Sequence, residues 1–152
     1  MPRPIYATVS RSALAHNLAT VRQHLARVPA GAAGAGHGGA GVGAWAGAGA
    51  GAGASTLAPP RIWAVIKANA YGHGIERAMA GFSNADGLAM LDLAEAVRCR
   101  EAGWVGPILL LEGVFEPADL DIVGRYHLTI AVTTDEHLDM IEHARFARPV
   151  DV

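Results

Sequence analysis

A lysine at the end of an apolar segment is the most reactive feature of the sequence. Residues 62–67 read IWAVIK, and a short loop with two glycines follows Lys67. The apolar run is typical of a β-strand buried on both faces, so Lys67 is expected at the rim of a sheet. A partly desolvated amine loses its proton more easily, and a neutral amine can attack an aldehyde. Position alone also allows an ordinary lysine whose charged end is solvated.

The loop after Lys67 contains groups that suit an aldehyde cofactor with a phosphate. Pyridoxal 5′-phosphate is such a cofactor, and its ring accepts electrons from a carbanion once it is held as a Schiff base. A lysine displaced by substrate would lie beside the substrate Cα and could act as a general base. Tyr71 could donate its hydroxyl to the phosphate, or be an ordinary loop tyrosine. His73 is a candidate for supporting the loop, whereas Gly72 and Gly74 match no phosphate-binding fingerprint.

Length and composition restrict the class of protein. The 152 residues are enough for one domain with a core, and they are 51% hydrophobic and 17% charged, with a net charge of −2. No basic run indicates a nucleic-acid partner. No apolar run approaches the ~20 residues of a membrane-spanning helix, and the N-terminus lacks a secretory signal. The single cysteine, Cys99, fits a reducing compartment, so a cytoplasmic location is expected.

The first 58 residues divide into two units. Residues 1–29 are expected to contain a short strand at 5–9 and a helix capped by Ser10 or Ser12. An apolar stripe at spacings of three and four predicts that helix: Leu14, Leu18, Val21, Leu25 and Val28. Glycine and alanine then dominate, and such a segment cannot bury enough side chain to offset the entropy of ordering it. We therefore predict a disordered insertion at residues 30–58.

Strand and helix patterns alternate in residues 59–152. Strands are predicted at 62–67, 87–91, 107–111 and 128–132, and residues 149–152 read as the opening of a fifth. Helices are predicted at 75–81, 93–102, 116–123 and 135–145. Strands joined by helices at this spacing form a parallel sheet, either open and doubly wound or part of a (β/α)8 barrel. Both folds bind ligands at the carboxyl ends of their strands, where Lys67 and Leu111 are predicted.

Several side chains are expected to end these helices or to pack beneath them. Asp92 is predicted to cap the second helix, with Glu95 completing a capping-box-like pair. Thr133 or Thr134 should cap the last helix. Three residues of that helix are candidates for its buried face: Leu138, Met140 and Ile141. Cys99 is interpreted as a packing residue, and the spacing of the histidines does not predict a metal site.

The segment around Lys67 closely resembles a known motif. Residues 64–74, AVIKANAYGHG, are similar to the pyridoxal-phosphate attachment motif of the alanine racemase family. The resemblance continues through residues 88–91, 95–103 and 107–113, and the first helix also fits. It therefore covers most of the chain outside residues 30–58.

The resemblance implies an α/β protein with a (β/α)8 barrel, of which only the first four units are present here. It implies a homodimer that interconverts L-alanine and D-alanine for peptidoglycan synthesis. Lys67 would hold pyridoxal 5′-phosphate as an internal aldimine and act as the base on the D-alanine face, and Tyr71 would contact the phosphate. The opposite base would be a tyrosine of a β-rich C-terminal domain, reaching in from the other subunit.

Two departures from the family pattern leave other functions open. The Gly/Ala-rich insertion is absent from that pattern, and because it precedes the first strand we place it at the rim opposite Lys67. The sequence also stops at Val152, before the second base, so we expect an N-terminal fragment that is inactive alone. The alternatives are a non-catalytic truncated gene product, a fragment that only binds the cofactor, and a racemase of broad specificity.

Overall fold

The structure is a computed structural model, and it describes residues 7–27 and 60–152. The predicted strand at 5–9 falls partly outside these residues, and the predicted insertion at 30–58 lies outside them. The described elements follow in this order: α1 (Arg11–Arg27), β1 (Trp63–Val65), α2 (Lys67–Tyr71), α3 (Ile75–Gly81), β2 (Gly87–Met90), α4 (Leu93–Glu101), β3 (Ile108–Leu110), α5 (Asp119–Tyr126), β4 (Thr129–Ile130) and α6 (Asp135–His143). None of these helices is both long enough and apolar enough to span a bilayer.

The four strands form one parallel sheet in the order β1-β2-β3-β4. Ala64 pairs with Leu88, Leu88 with Ile108, and Leu110 with Ile130. Each strand is therefore next to its neighbour in the chain, and a helix lies between consecutive strands. This is the order of the first four units of a (β/α)8 barrel.

Alternate residues of the strands form the core beneath the helices. In a strand, neighbouring side chains point to opposite faces of the sheet, so every second residue shares a face. Ala64 of β1 and Ile66, which follows the strand, are buried, whereas Val65 between them is 40% exposed. The expectation that this strand is buried on both faces is therefore wrong, because within the described residues no layer fully covers its second face. One face of the sheet buries Ala64, Ile66, Leu88, Met90, Ile108, Leu110 and Ile130, and in β2 the intervening Ala89 is buried as well, so that strand is covered on both faces.

Helix ends follow local hydrogen bonds that the sequence partly predicts. α3 has the predicted bounds, and Asp92 caps α4 by accepting from the backbone N–H groups of Ala94 and Glu95 at 2.6 and 3.3 Å. Thr134, rather than Thr133, caps α6. α5 begins at Asp119, later than predicted, because its carboxylate accepts from two backbone N–H groups of the preceding turn.

Three other expectations about the elements are wrong. Residues 7–9 form no strand. Leu138 is exposed, because it points away from the face on which Met140 and Ile141 pack against the core. Residues 149–152 are not a strand either, although the backbone N–H of Ile130 donates to the carbonyl oxygen of Asp151 at 3.2 Å, so this segment does lie beside β4.

The first helix packs on α3 through a narrow contact. Ser10 Oγ accepts from the backbone N–H of Ala13 at 3.2 Å, so Ser10 caps α1 as predicted. Leu18 is the buried residue of the helix, whereas Val21 of the same predicted stripe is exposed. Leu14 lies so close to Gly81 that a Cβ there would come within 2.7 Å of the Leu14 Cβ.

Candidate active site

Lys67 lies at the rim of the sheet, as the sequence predicts, but the strand is shorter than the predicted 62–67: Lys67 begins α2, two residues after the end of β1. The preceding residue, Ile66, is 1% exposed, and its backbone N–H donates to the carbonyl oxygen of Ala89 at 2.8 Å. Lys67 is therefore attached to a backbone that β2 holds in place. Its side chain is half-buried, and the ion pairs of the described residues do not include it. Lys67 is also the only lysine in the sequence.

The backbone after Lys67 forms a left-handed turn. Ala68, Asn69, Ala70 and Tyr71 have φ angles of 52 to 55°, and Gly72 follows at 83°. A left-handed conformation costs a residue with a side chain about 1–2 kcal/mol, so four in succession are strained. Backbone hydrogen bonds close the turn, among them those from Ala70 N–H to the Ile66 oxygen at 2.9 Å and from Gly72 N–H to the Ala68 oxygen at 3.1 Å.

The central residue of the turn, Asn69, is hydrogen-bonded to groups outside the turn. The backbone N–H of Asn69 donates to Glu95 Oε1 on α4 at 2.5 Å. The Asn69 side chain in turn accepts, through Oδ1, from the backbone N–H of Ile75 at the start of α3 at 3.1 Å. Asn69 therefore connects the turn to both neighbouring helices.

An ion pair joins the same two helices beside Asn69. Arg98 of α4 donates from Nε and Nη2 to the two carboxylate oxygens of Glu76 on α3, at 2.7 and 2.8 Å. The hydrogen bond from Arg98 lowers the pKa of Glu76, and the same bond raises the pKa of Arg98. Both side chains are about half exposed, so this pair contributes little to stability and serves mainly to orient α3 and α4.

Tyr71 ends the turn, and its side chain is 60% exposed. Its position on the same turn as Lys67 agrees with the sequence, although it is more exposed than a half-buried loop residue. Next to it, His73 Nδ1 lies 2.8 Å from the carbonyl oxygen of Ala70, so this nitrogen carries the proton and donates. His73 therefore supports the loop as predicted. A cavity of about 220 Å³ lies on the α1 side of this loop, lined in part by Val65, Tyr71 and His73.

Glu95 is the site residue whose role the sequence analysis missed. Its spacing from Asp92 suggested a capping box, in which Glu95 would accept from the Asp92 backbone N–H. That expectation is wrong, because the Glu95 carboxylate instead accepts from Asn69, 26 residues earlier. The sequence contained one indication of this role: Asp92 alone can cap α4, so the carboxylate of Glu95 is free to bind another group.

Other candidates from the sequence lie away from Lys67 or serve the core. Cys99 is buried, and burial raises the pKa of its thiol to about 11, which agrees with a packing role. His137 is buried at the start of α6, where its Nδ1 accepts from the backbone N–H of Thr133 at 3.3 Å. Leu111 follows β3 and donates its backbone N–H to Met90 at 2.9 Å. Within residues 7–27 and 60–152, no three metal-ligating side chains cluster.

Comparison with known proteins places this geometry in a family. Residues 52–152 match the family described as alanine racemase, N-terminal domain. That match spans both Lys67 and the sheet that holds it. The chain belongs to the alanine racemase N-terminal domain family. Two curated relatives carry the name alanine racemase: that of Bordetella petrii is 59% identical over 152 residues, and that of Bordetella avium is 56% identical over 145.

The match covers only part of these relatives. It includes 100% of this chain but 34% of the Bordetella petrii protein, and 95% of this chain but 33% of the Bordetella avium protein. The chain thus spans about a third of the length of the curated relatives it matches.

Solved structures of alanine racemases have the same fold in the matching region. The protein from Acinetobacter baumannii superposes with a TM-score of 0.65 over 89% of this chain and 31% of its own, at 24% identity. The biosynthetic enzyme from Pseudomonas aeruginosa superposes with a TM-score of 0.57 over 61% of this chain and 26% of its own, at 36% identity. The predicted fold class, a partial (β/α)8 barrel, is thereby confirmed.

Proposed function

We propose that this chain is the cofactor-anchoring part of an alanine racemase that depends on pyridoxal 5′-phosphate. The observation that carries the proposal is the position of Lys67. The only lysine of the chain follows β1 at the edge where (β/α)8 proteins bind their ligands. The relatives named alanine racemase support the choice of alanine as substrate.

The residues present fit this cofactor. Lys67 lies outside the described ion pairs, so its amine is available to condense with an aldehyde. Tyr71 presents an exposed phenol from the other end of the same turn, which suits a hydroxyl that donates to a phosphate. Open space surrounds Gly72, where an added Cβ would meet no atom within 4 Å. When bound, pyridoxal phosphate draws negative charge away from the substrate Cα.

In this proposal the chain holds the cofactor and moves one proton. Lys67 would hold the cofactor through its aldehyde group, and the Lys67 amine, once released by the amino group of the substrate, would exchange a proton with the substrate Cα on the D-alanine face. Tyr71 orients the cofactor by donating its hydroxyl to the phosphate. The rigid attachment of Ile66 to β2 keeps the amine within reach of that carbon.

We further propose that the complete enzyme is a cytoplasmic homodimer. Racemisation requires a second group that exchanges a proton on the opposite face of the Cα. The proposal assigns this group to a tyrosine of a C-terminal domain from the partner subunit. The single, buried Cys99 is compatible with a reducing compartment.

Reductive trapping tests the cofactor assignment. The protein, expressed from its complete gene, is mixed with pyridoxal phosphate, reduced with borohydride and digested for mass spectrometry. We expect one labelled peptide, containing Lys67, and no label there in Lys67→Arg, which keeps the charge but cannot form the imine. A folded protein labelled elsewhere, or not at all, would show that the assignment is wrong. Production of D-alanine from L-alanine, lost in Lys67→Arg, then tests the reaction.

A further inference from the structure

Glu95 contributes to the turn after Lys67 rather than to its own helix. It is the third residue of α4, where a carboxylate commonly caps the helix end. Asp92 already accepts from the backbone N–H groups of Ala94 and of Glu95 itself. The Glu95 carboxylate reaches across to the Asn69 backbone N–H at 2.5 Å. Its one hydrogen bond in the described residues therefore belongs to the turn.

The second oxygen of Glu95 makes this arrangement costly. Oε2 is buried and has no hydrogen-bond partner among the described residues. A buried carboxylate oxygen without a partner destabilises the folded state, because it has lost its bonds to water. Stabilisation of α4 therefore does not explain why a glutamate occupies position 95. The hydrogen bond to Asn69 remains as the role of its carboxylate.

The turn needs an acceptor at this place. Its backbone hydrogen bonds begin at Ala70, whose N–H donates to the Ile66 oxygen, so the N–H of Asn69 precedes them. An N–H at the start of such a turn is left without a partner unless a side chain or water supplies one. Four consecutive residues with positive φ also persist only where surrounding contacts impose that conformation. Glu95 supplies both the acceptor and one of those contacts.

We propose that Glu95 is a positioning residue that holds α2 left-handed and so fixes Lys67 and Tyr71 at the two ends of the turn. This inference rests on the proposed function, in which those two side chains bind pyridoxal phosphate. Asn69 transmits the constraint, because its backbone N–H binds Glu95 while its side chain accepts from the first N–H of α3. Glu95 itself touches neither the cofactor nor the substrate in this scheme.

Cofactor binding by Glu95 variants tests the proposal. Fluorescence titration of cofactor-free protein, expressed from its complete gene, gives the Kd for pyridoxal phosphate. Glu95→Ala should weaken binding by roughly ten- to a hundredfold, since it removes a charged acceptor. Glu95→Gln should bind within about threefold of the unsubstituted protein, because its amide oxygen can still accept from Asn69. The matched control is Glu101→Ala, at the exposed end of the same helix, which should leave the Kd unchanged.

The outcomes separate this inference from the proposed function. Unchanged binding in Glu95→Ala, or equal weakening in Glu95→Ala and Glu95→Gln, would overturn the role of Glu95 as acceptor. These results count only where the unsubstituted protein is trapped at Lys67 by borohydride. Failure of that trapping overturns the proposed function instead.

Amide exchange tests the hydrogen bond of the Asn69 N–H in the unsubstituted protein, so this test does not require that a variant folds. In the unsubstituted protein, NMR should show a protected N–H at Asn69, exchanging at least about tenfold more slowly than an unstructured amide. Where Glu95→Ala folds, the amides of the turn, those of Asn69, Ala70 and Gly72, should lose protection, while those of β2 keep theirs. An unprotected Asn69 amide in the unsubstituted protein would contradict the proposal.

Discussion

Glycine at position 68 should stabilise the protein, although glycine normally does the opposite. Ala68 is exposed and has φ 52° and ψ 55°, so its methyl group makes the left-handed conformation unfavourable. That conformation costs about 1–2 kcal/mol. Glycine avoids this cost but loses about 0.5–1 kcal/mol more conformational entropy on folding. The difference predicts that Ala68→Gly raises the free energy of unfolding by about 0.5–1 kcal/mol.

The matched control is the same substitution in a right-handed helix. Ala19 is exposed in the middle of α1, where glycine should lower the free energy of unfolding by about 1 kcal/mol. Urea unfolding followed by circular dichroism measures both variants against the unsubstituted protein. The dependence on urea concentration should be the same in all three, so that the midpoints report stability directly.

The sign of the change decides whether the turn is strained. Stabilisation by Ala68→Gly together with destabilisation by Ala19→Gly is the expected pair. Equal destabilisation by both substitutions would refute the reasoning, since it would mean that Ala68 pays no cost for its positive φ. The result does not depend on cofactor or activity.

Two further predictions concern the core and the opposite end of the sheet. Arg100 donates to four backbone carbonyl oxygens. Arg100→Met should therefore lower the free energy of unfolding by about 2–4 kcal/mol in urea titrations. The control Arg125→Met, on the exposed face of α5, should change the free energy of unfolding by less than about 0.5 kcal/mol. Those four acceptors belong to Tyr126, Trp104, Gly106 and His127. The pKa of Cys99 is raised to about 11 from the ordinary thiol value of 9.0. At pH 8 the thiolate fraction of Cys99 is therefore roughly a hundredfold below that of an ordinary thiol. Disulfide reagents should react with Cys99 correspondingly slowly. The rate should rise about tenfold per pH unit up to pH 10 in folded protein, and a rate equal to that of a small thiol at pH 8 would contradict the assignment.

The regular elements were predictable because their signals are local. The helix predicted at 75–81 has those bounds in the structure, and the side chain of Asp92 can cap only the helix that follows it. The position of Lys67 followed from the end of an apolar strand. Burial was less predictable, because it depends on which elements cover a face of the sheet. Val65 is apolar, yet it lies on a face that the described residues leave partly open.

The handedness of the turn was not predictable from its residues. Alanine is the strongest helix former, and a segment of Ala68, Asn69, Ala70 and Tyr71 favours right-handed conformations. The left-handed form depends on Glu95, which is distant in sequence and resembled an ordinary capping residue. Tertiary contacts therefore override the local preference at the place where the proposed chemistry occurs.

The left-handed turn also restricts how the sequence can drift. An exposed position such as Ala68 usually accepts almost any replacement, because no packing is lost. At positive φ, valine, isoleucine and threonine clash with their own backbone, while glycine, asparagine and aspartate are tolerated. The mutational spectrum at Ala68 should therefore be set by backbone handedness rather than by burial, and a surface position can be as intolerant as one in the core.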